Sequence, residues 1–296
     1  MIESKLDNIG IEYIADYPMS RFTWLKVGGS ANFVIYPKTA EQLAAVIILL
    51  NKEAYPWVVL GEGSNTIILD KGKGIEKAVI ITKKMKSISI TDSGEVVAEA
   101  GANMGTIMNQ TIRKALTGFE FAAGIPGTLG GGVFMNAGAN DAEIKDVIKK
   151  VWLLIDGKEE IVNRNELNFE YRKSNLPEQA VVMKAEIKLE KGDRQQSEKQ
   201  VKEYLEKRSR TQPIKMSNTG SIFKNPQNIA AGRLIEELGL KGYEIGGAQI
   251  SELHGNFIVN TGSAKASEVL ELIDLAKENA LKTRGIKLEP EVRIIG

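Results

Sequence analysis

Residues 57–69 read WVVLGEGSNTIIL, a glycine-rich loop between two short apolar runs. Trp57–Leu60 and Thr66–Leu69 each have the length and composition of a buried strand. The stretch contains neither a GxGxxG fingerprint nor a GxxxxGK[ST] phosphate loop, and its strand-loop-strand order differs from that of a Rossmann turn. Together with an earlier strand near residues 32–36, it predicts a small β-α-β-β unit.

The loop Gly61-Glu62-Gly63-Ser64-Asn65 is a candidate cradle for a diphosphate. Gly61 and Gly63 allow backbone N–H groups to approach a phosphate closely, and Ser64 and Asn65 add hydrogen-bonding groups. An ordinary tight turn is the alternative interpretation. The loop by itself leaves both open.

Around this stretch, the hydrophobic periodicity predicts an α+β chain. The capping box Thr39-x-x-Gln42 begins a helix that ends before Pro56. Further strands are predicted at 78–82, 96–100, 147–155, 159–162, 181–189, 256–259 and 288–295, and helices at 104–115, 190–210, 229–238 and 264–284. The charged helix 190–210 is interpreted as a solvated face that connects domains.

Seven of the 29 glycines lie between Gly118 and Gly138. We interpret this segment as a loop system. In its central part, GIPGTLGGGVFMNAGA at 124–139, many residues lack a side chain that would cover the backbone. Such a backbone suits a large flat ligand that carries a diphosphate. The alternative is a glycine-rich bend packed against its own protein.

The composition excludes several chemistries. With 296 residues, the chain is long enough for about two domains. It has no cysteine and one histidine, His254, which excludes disulfides, thiolate nucleophiles and clustered-histidine metal sites. These two counts predict a protein without a metal. Its net charge of +1 is too small to indicate a nucleic-acid partner. The polar N-terminus and the lack of a long apolar run predict a cytoplasmic protein with no membrane insertion.

Three further loops carry polar groups: YRKS at 171–174, NTGSIFKNP at 218–226 and LEPEVR at 288–293. No Gly-x-Ser-x-Gly elbow surrounds Ser221, so acyl-enzyme chemistry is disfavoured and a turn role is the alternative. Strand periodicity predicts Glu291 and Arg293 on one side of the last strand. We interpret Glu289 as a partner in an edge ion pair.

These segments together resemble the UDP-N-acetylenolpyruvoylglucosamine reductases, flavoenzymes of peptidoglycan precursor synthesis. Seven motifs occur in family order: TWLKVGG (23–29), GEGSN (61–65), GIPGTLGGGVFMNAGA, YRKS, TGSIFKNP (219–226), AAGRLIEELGLKGYEIGGAQISELHGNFIVN (230–260) and LEPEVR. The short interval between YRKS and TGSIF resembles the shorter subclass, which lacks an extra tyrosine-bearing substrate loop.

The resemblance implies an FAD-binding module of the vanillyl-alcohol-oxidase (PCMH) type, built from two α+β subdomains and followed by a C-terminal α/β substrate domain. The implied boundaries are 1–80, 81–207 and 208–296, with the last strand free to return to the first subdomain. The implied activity is that of an oxidoreductase that uses NADPH and FAD to reduce UDP-N-acetylglucosamine enolpyruvate to UDP-N-acetylmuramate.

The resemblance also implies roles for individual residues. FAD would contact Gly61, Gly63, Ser64, Asn65, Gly124, Ile125, Pro126, Gly127, Thr128, Gly131, Asn136 and Gly138. The substrate would contact Tyr171, Lys224, Asn225 and Arg293, and the catalytic residues would be Ser221 as proton donor, Arg172 and Glu291. His254 receives no catalytic role, and Met104, Met108, Phe119 and Phe121 are predicted to lie in the core.

Two other functions remain open from the sequence. One is an FAD oxidase of the same fold, and the other is a non-catalytic protein that binds a sugar nucleotide. No obligate protein partner is evident in either case.

Overall fold

The computed structural model of the protein describes residues 2–70, 75–177 and 179–296. The chain divides into two compact units. The first comprises Met1–Ala15, Phe33–Glu62 and Lys77–Glu206, and the second comprises Asp16–Asn32, Gly63–Glu76 and Lys207–Gly296. The boundary between Glu62 and Gly63 lies within the first glycine loop. The three-part division at 80 and 207 remains a prediction.

The helices are α1 Ile2–Asn8, α2 Ala40–Lys52, α3 Met104–Arg113, α4 Leu129–Met135, α5 Ile144–Val147, α6 Arg194–Thr211, α7 Ala231–Glu237 and α8 Ala266–Arg284. The strands are β1 Tyr13–Pro18, β2 Ser30–Ile35, β3 Trp57–Leu60, β4 Thr66–Ile68, β5 Ala78–Ile81, β6 Ile88–Ile90, β7 Glu95–Glu99, β8 Leu116–Thr117, β9 Gly138–Ala139, β10 Ala142–Glu143, β11 Ile148–Ile155, β12 Lys158–Asn163, β13 Val181–Lys188, β14 Glu190–Lys191, β15 Ser217–Asn218, β16 Glu244–Ile245, β17 Ala248–Ile250, β18 Ile258–Asn260 and β19 Arg293–Ile295. Beyond the predicted elements, the structure contains the helices α1, α4 and α5 and the strands β1, β6, β8, β9, β10, β14, β15, β16 and β17, and the helix predicted from residue 190 begins at Arg194.

The described residues of the first unit form two larger sheets and two two-stranded ones, β9-β10 and β8-β14. Of the two larger sheets, the smaller has the order β1-β2-β5-β3, with β2, β5 and β3 parallel, and α2 contributes Leu43, Val46, Ile47 and Leu50 to its core. The N-cap of α2 is Thr39, as predicted, and its hydroxyl accepts from the N–H of Gln42. The larger sheet is antiparallel with the order β12-β11-β13-β7-β6. The buried residues of this sheet form one hydrophobic core together with residues of α3 and α4. Met104, Met108, Phe119 and Phe121 all lie in that core, which confirms their predicted burial.

The prediction that residues 118–138 form only loops is wrong, because LGGGVFM at 129–135 forms α4. Two of its three glycines are required by packing. A Cβ at Gly130 would lie 2.8 Å from the Cβ of Ala100, and one at Gly132 would lie 2.7 Å from the sulfur of Met104. These helix glycines therefore provide close contact within the protein.

The second unit is built around the antiparallel sheet β15-β18-β17-β16 and the helices α7 and α8. The terminal strand β19 pairs in parallel with β4, so that Arg293 lies opposite Thr66 and Ile295 opposite Ile68. Within the described ranges, no helix combines the length and apolar composition needed to cross a membrane.

Candidate functional site

In the first unit, the structure brings the start of the GEGSN loop against the second glycine-rich segment. A Cβ at Gly61 would lie only 2.3 Å from the hydroxyl oxygen of Thr128. Thr128 is buried and caps α4, accepting from the N–H of Gly131 at 3.5 Å. Gly61 is therefore a glycine because the backbone passes directly over the cap of this helix.

The rest of the loop belongs to the second unit. Gly63 has a φ of +65°, and a Cβ there would lie 2.9 Å from the ring of Phe22. Its carbonyl oxygen accepts from the N–H of Trp24, and Ser64 follows it half-buried. The start of the TWLKVGG motif therefore packs against this loop and hydrogen-bonds to it, which the sequence alone did not indicate.

Asn65 connects the loop to the C-terminal segment. Its side-chain amide donates to the carbonyl oxygen of Glu291 at 3.2 Å, and its own carbonyl oxygen accepts from the N–H of Arg293 at 3.1 Å. Asn65, which is expected to contact FAD, is therefore hydrogen-bonded to the backbone of Glu291, which is expected to be catalytic.

The second glycine-rich segment separates into exposed and buried parts. Gly124 is exposed, Ile125 and Pro126 are half-buried, and Gly127 and Thr128 are buried. Gly127 has a φ of +123°, a conformation that favours glycine. Gly131 is exposed, and a Cβ there would meet only the Thr128 hydroxyl at an ordinary 3.7 Å. Neither internal packing nor a positive φ accounts for a glycine at 131.

Asn136 and Gly138 are used within the protein. Asn136 is fully buried with a φ of +45°, and its amide donates to the Glu143 carboxylate and to the carbonyl oxygen of Glu170. Its side-chain oxygen accepts from the N–H of Lys145. A Cβ at Gly138 would lie 2.4 Å from the carbonyl oxygen of Ala142. These contacts within the protein leave their predicted contact with FAD a prediction.

Arg172 lies in the first unit in a left-handed backbone conformation, with a φ of +56°. Its guanidinium donates to Glu143 at 2.8 Å and to the carbonyl oxygen of Gly138 at 2.7 Å. The guanidinium carbon lies 4.8 Å from the ring centroid of the exposed Tyr171. The arginine is therefore held in a fixed orientation.

In the second unit, the Ser221 loop and the Glu291 segment are hydrogen-bonded neighbours. The N–H of Glu291 donates to the carbonyl oxygen of Ile222, the residue after Ser221, at 2.7 Å. Lys224 forms an ion pair with Glu289 at 2.6 Å, which confirms the interpretation of Glu289 as an ion-pair partner. Asn225 accepts from the N–H of Ala231 at the start of α7.

The last strand is shorter than predicted, because a bend at Val292 separates Glu291 from β19. The period-two argument for Glu291 and Arg293 on one side therefore does not hold. Burial lowers the pKa of Arg293 from its ordinary value. An arginine keeps its positive charge despite such a shift.

Asn256 has a role that sequence reasoning missed. It is buried, its side chain both accepts from and donates to the backbone of Phe223, and its carbonyl oxygen accepts from the N–H of Ile222. It thus fixes the backbone immediately after Ser221. His254 accepts from the N–H of Asn256 and packs edge-on against Phe257, and burial lowers its pKa. Both of these contacts are structural.

The residues fit a cofactor that carries a diphosphate. Within the first unit, exposed backbone without a side chain is present at Gly124 and Gly131, where N–H groups could approach a phosphate. Across the described residues, no group of three or more His, Cys, Asp or Glu side chains has an arrangement that could hold a metal ion.

Two protein-family models match the chain. The model of an FAD binding domain matches residues 31–163. The model of the C-terminal domain of UDP-N-acetylenolpyruvoylglucosamine reductase matches residues 212–295. The matched regions follow each other along the chain in the predicted order.

Similar proteins agree with these matches. A UDP-N-acetylenolpyruvoylglucosamine reductase from Caldicellulosiruptor bescii is 42% identical over 99% of this chain and 94% of its own length. The crystal structure of the reductase from Thermus caldophilus has a TM-score of 0.82 and 34% identity, covering 97% of this chain and 99% of that one. Berberine bridge enzyme from Eschscholzia californica shares only the fold, with a TM-score of 0.50 and 16% identity over 64% of this chain and 43% of that one. The predicted fold class, a vanillyl-alcohol-oxidase-type module with a C-terminal α/β domain, is confirmed.

Proposed function

The chain belongs to the family of UDP-N-acetylenolpyruvoylglucosamine reductases, and on that premise we propose that it uses NADPH to reduce UDP-N-acetylglucosamine enolpyruvate to UDP-N-acetylmuramate. It is an FAD-dependent oxidoreductase of peptidoglycan precursor synthesis. We further propose that the protein prefers NADPH and forms UDP-N-acetylmuramate. It works in the cytoplasm and needs no obligate protein partner.

The observation that carries the assignment of roles is the bond between the Glu291 N–H and the carbonyl oxygen of Ile222. It supports a pairing of Ser221 with Glu291, because each lies within one residue of the bonded groups. Asn256 and Asn65 hold the two segments from either end. A proton donor and a carboxyl group placed this way suit protonation at carbon.

The residue chemistry matches the demands of the substrate. Reduction at the terminal enolpyruvyl carbon leaves negative charge on the neighbouring carbon and on the carboxylate. The guanidinium of Arg172 can bind that carboxylate, and a protonated Glu291 can donate a hydrogen bond where charge grows. Ser221 then gives its proton to the carbon, which is basic enough to accept it from an alcohol. The positive charge of Lys224 favours this transfer.

When bound, FAD supplies the two-electron reduction of the enolpyruvyl double bond. The residues proposed to hold it are Gly61, Gly63, Ser64 and Asn65 together with Gly124, Ile125, Pro126, Gly127, Thr128 and Gly131. Asn136 and Gly138, which also make hydrogen bonds and close contacts within the protein, belong to the same proposed set. We propose Tyr171, Asn225 and Arg293 as further substrate contacts.

An anaerobic assay of the purified, FAD-loaded protein tests the function. We expect NADPH to be consumed only after UDP-N-acetylglucosamine enolpyruvate is added, with UDP-N-acetylmuramate formed in equal amount. In air, consumption that is indifferent to this substrate would favour an oxidase of the same fold. Protein that takes up no FAD would favour a non-catalytic sugar-nucleotide-binding protein.

A further inference from the structure

The hairpin formed by β9 and β10 brings Gly138 and Glu143 opposite each other. The two strands are joined by Asn140 and Asp141, whose φ angles of +52° and +65° are those of a tight two-residue turn. A Cβ at Gly138 would lie 2.6 Å from the Cγ of Glu143. The glycine therefore leaves room for the glutamate side chain to cross the hairpin.

Arg172 binds both members of this cross-strand pair. One terminal nitrogen donates to the Glu143 carboxylate at 2.8 Å, and the other donates to the Gly138 carbonyl oxygen at 2.7 Å. Two such bonds define the plane of a guanidinium, not only its position. The side chains of Arg172 and Glu143 are only 16% and 14% exposed, so water competes weakly for this pair.

The Glu143 carboxylate accepts from three donor groups, on Arg172, Asn136 and Lys145. Its second carboxylate oxygen accepts from the amide of Asn136 at 3.0 Å and lies 2.6 Å from the ammonium of Lys145. An amide at position 143 would turn an NH₂ group toward at least one of these donors. A carboxylate therefore fits this position and a glutamine does not.

We propose that Glu143 is a positioning residue of the reaction, which fixes the plane of the Arg172 guanidinium toward the substrate carboxylate. The inference rests on the proposed role of Arg172 in the reductase reaction. Glu143 itself does not touch the substrate. Gly138, which is also a proposed FAD contact, makes room for the Glu143 side chain.

The test compares Glu143→Gln with a matched control, Glu186→Gln. Glu186 is also a buried carboxylate of the first unit and pairs with Lys149 and Lys150. For Glu143→Gln we expect reduction of bound FAD by NADPH to stay within about twofold of wild type, and reoxidation by the enolpyruvyl substrate to slow roughly ten- to a hundredfold, the range for losing a charge-assisted hydrogen bond. The dissociation constant of that substrate, measured by titration calorimetry, should rise. Glu186→Gln should change neither quantity.

A double-mutant cycle with Arg172→Ala separates the possible failures. If Glu143 acts through the arginine, Glu143→Gln adds almost nothing once Arg172 is alanine. Full additivity, or normal reoxidation in Glu143→Gln while Arg172→Ala is slow, overturns the positioning role and leaves the proposed function intact. Normal reoxidation in Arg172→Ala overturns the role of the arginine itself. Should Glu143→Gln not fold, Glu143→Asp keeps the charge but shortens the reach, and normal reoxidation and affinity in that variant overturn the proposal.

Discussion

The side-chain amide of Asn65 donates a hydrogen bond to the carbonyl oxygen of Glu291 at 3.2 Å, across 226 positions of the chain. The carbonyl oxygen of Asn65 accepts from the N–H of Arg293, and β19 continues beside β4. One loop residue thus holds the segment that contains Glu291 through both its side chain and its backbone. Changes at Asn65 should therefore affect the position of Glu291 as well as the FAD contact that we propose for Asn65.

Replacing Asn65 with aspartate should weaken this connection. A carboxylate cannot donate, so an oxygen would face the Glu291 carbonyl, and we expect a loss of about 1–3 kcal/mol in the free energy of unfolding. Thermal denaturation and the rate of flavin reoxidation by substrate measure the effect. Asn279→Asp is the control, because the Asn279 amide donates to the Leu275 carbonyl oxygen within α8. An Asn65→Asp variant as stable and as fast as wild type would contradict the connection.

The three glycines of α4 should respond differently to alanine. Gly130→Ala and Gly132→Ala should lower the melting temperature, because each Cβ would be forced against Ala100 or Met104. Gly131→Ala should keep or raise it, since alanine favours a helix by about 1 kcal/mol over glycine. If the exposed Gly131 backbone lies against FAD, this same variant should bind FAD more weakly in a fluorescence titration. Unchanged FAD affinity in Gly131→Ala would remove Gly131 from the proposed cofactor contacts.

Elements with local signals could be predicted from the sequence, and α4 could not. Thr39 caps α2 and Trp57–Leu60 forms β3 as predicted, because capping groups and apolar runs act over a few residues. Three consecutive glycines oppose a helix by propensity. In α4 that cost is offset by packing against Ala100 and Met104, which lie far away in sequence.

The candidate site shows the same limit. The motif residues Ser221 and Glu291 lie on adjacent backbone segments, but Asn256 and Glu143 carried no recognisable signal of their own. Their roles come from hydrogen bonds to residues 29 to 33 positions away, which no local pattern encodes.

Ser221→Ala should separate the two halves of the reaction. Reduction of bound FAD by NADPH should remain close to wild type, because no proton donor to the substrate is needed in that step. Reoxidation by the enolpyruvyl substrate should slow at least about a hundredfold, within the range for loss of a general acid. Stopped-flow flavin absorbance measures both halves, with Ser217→Ala as the control. Slow reduction with normal reoxidation would contradict the assignment.

Substitutions of Lys224 and of Glu289 should have unequal effects on the reaction. Lys224 is largely buried with 19% of its side chain exposed, whereas Glu289 is 69% exposed. Glu289→Gln should change stability by less than about 1 kcal/mol and leave turnover nearly unchanged, because the cation remains. Lys224→Met should slow reoxidation and raise the KM for the substrate. Equal effects of the two variants on steady-state kinetics would show that the ion pair, not the lysine charge, matters.

Glu120 should make the stability of the first unit depend on acid pH. Burial by itself raises the pKa of Glu120, but hydrogen bonds, including those from Ser197, Thr117 and the N–H of Gly118, lower it below its ordinary value. A carboxyl with a lowered pKa in the folded state stabilises the protein above its unfolded pKa, and this contribution is lost as the pH falls through the folded value. Glu120→Gln removes the negative charge that strengthens the hydrogen bonds from Ser197, Thr117 and the N–H of Gly118.

We therefore expect Glu120→Gln to lower the free energy of unfolding by about 2 kcal/mol at pH 7, with the gap to wild type closing below about pH 4. Urea denaturation across this pH range measures the gap. The control is Glu198→Gln on the exposed face of α6, where the pair with Arg194 is solvated and should contribute less than about 0.5 kcal/mol. A gap for Glu120→Gln that persists unchanged to pH 3 would mean that shape, and not the charge of Glu120, stabilises the contact between residues 117–120 and α6.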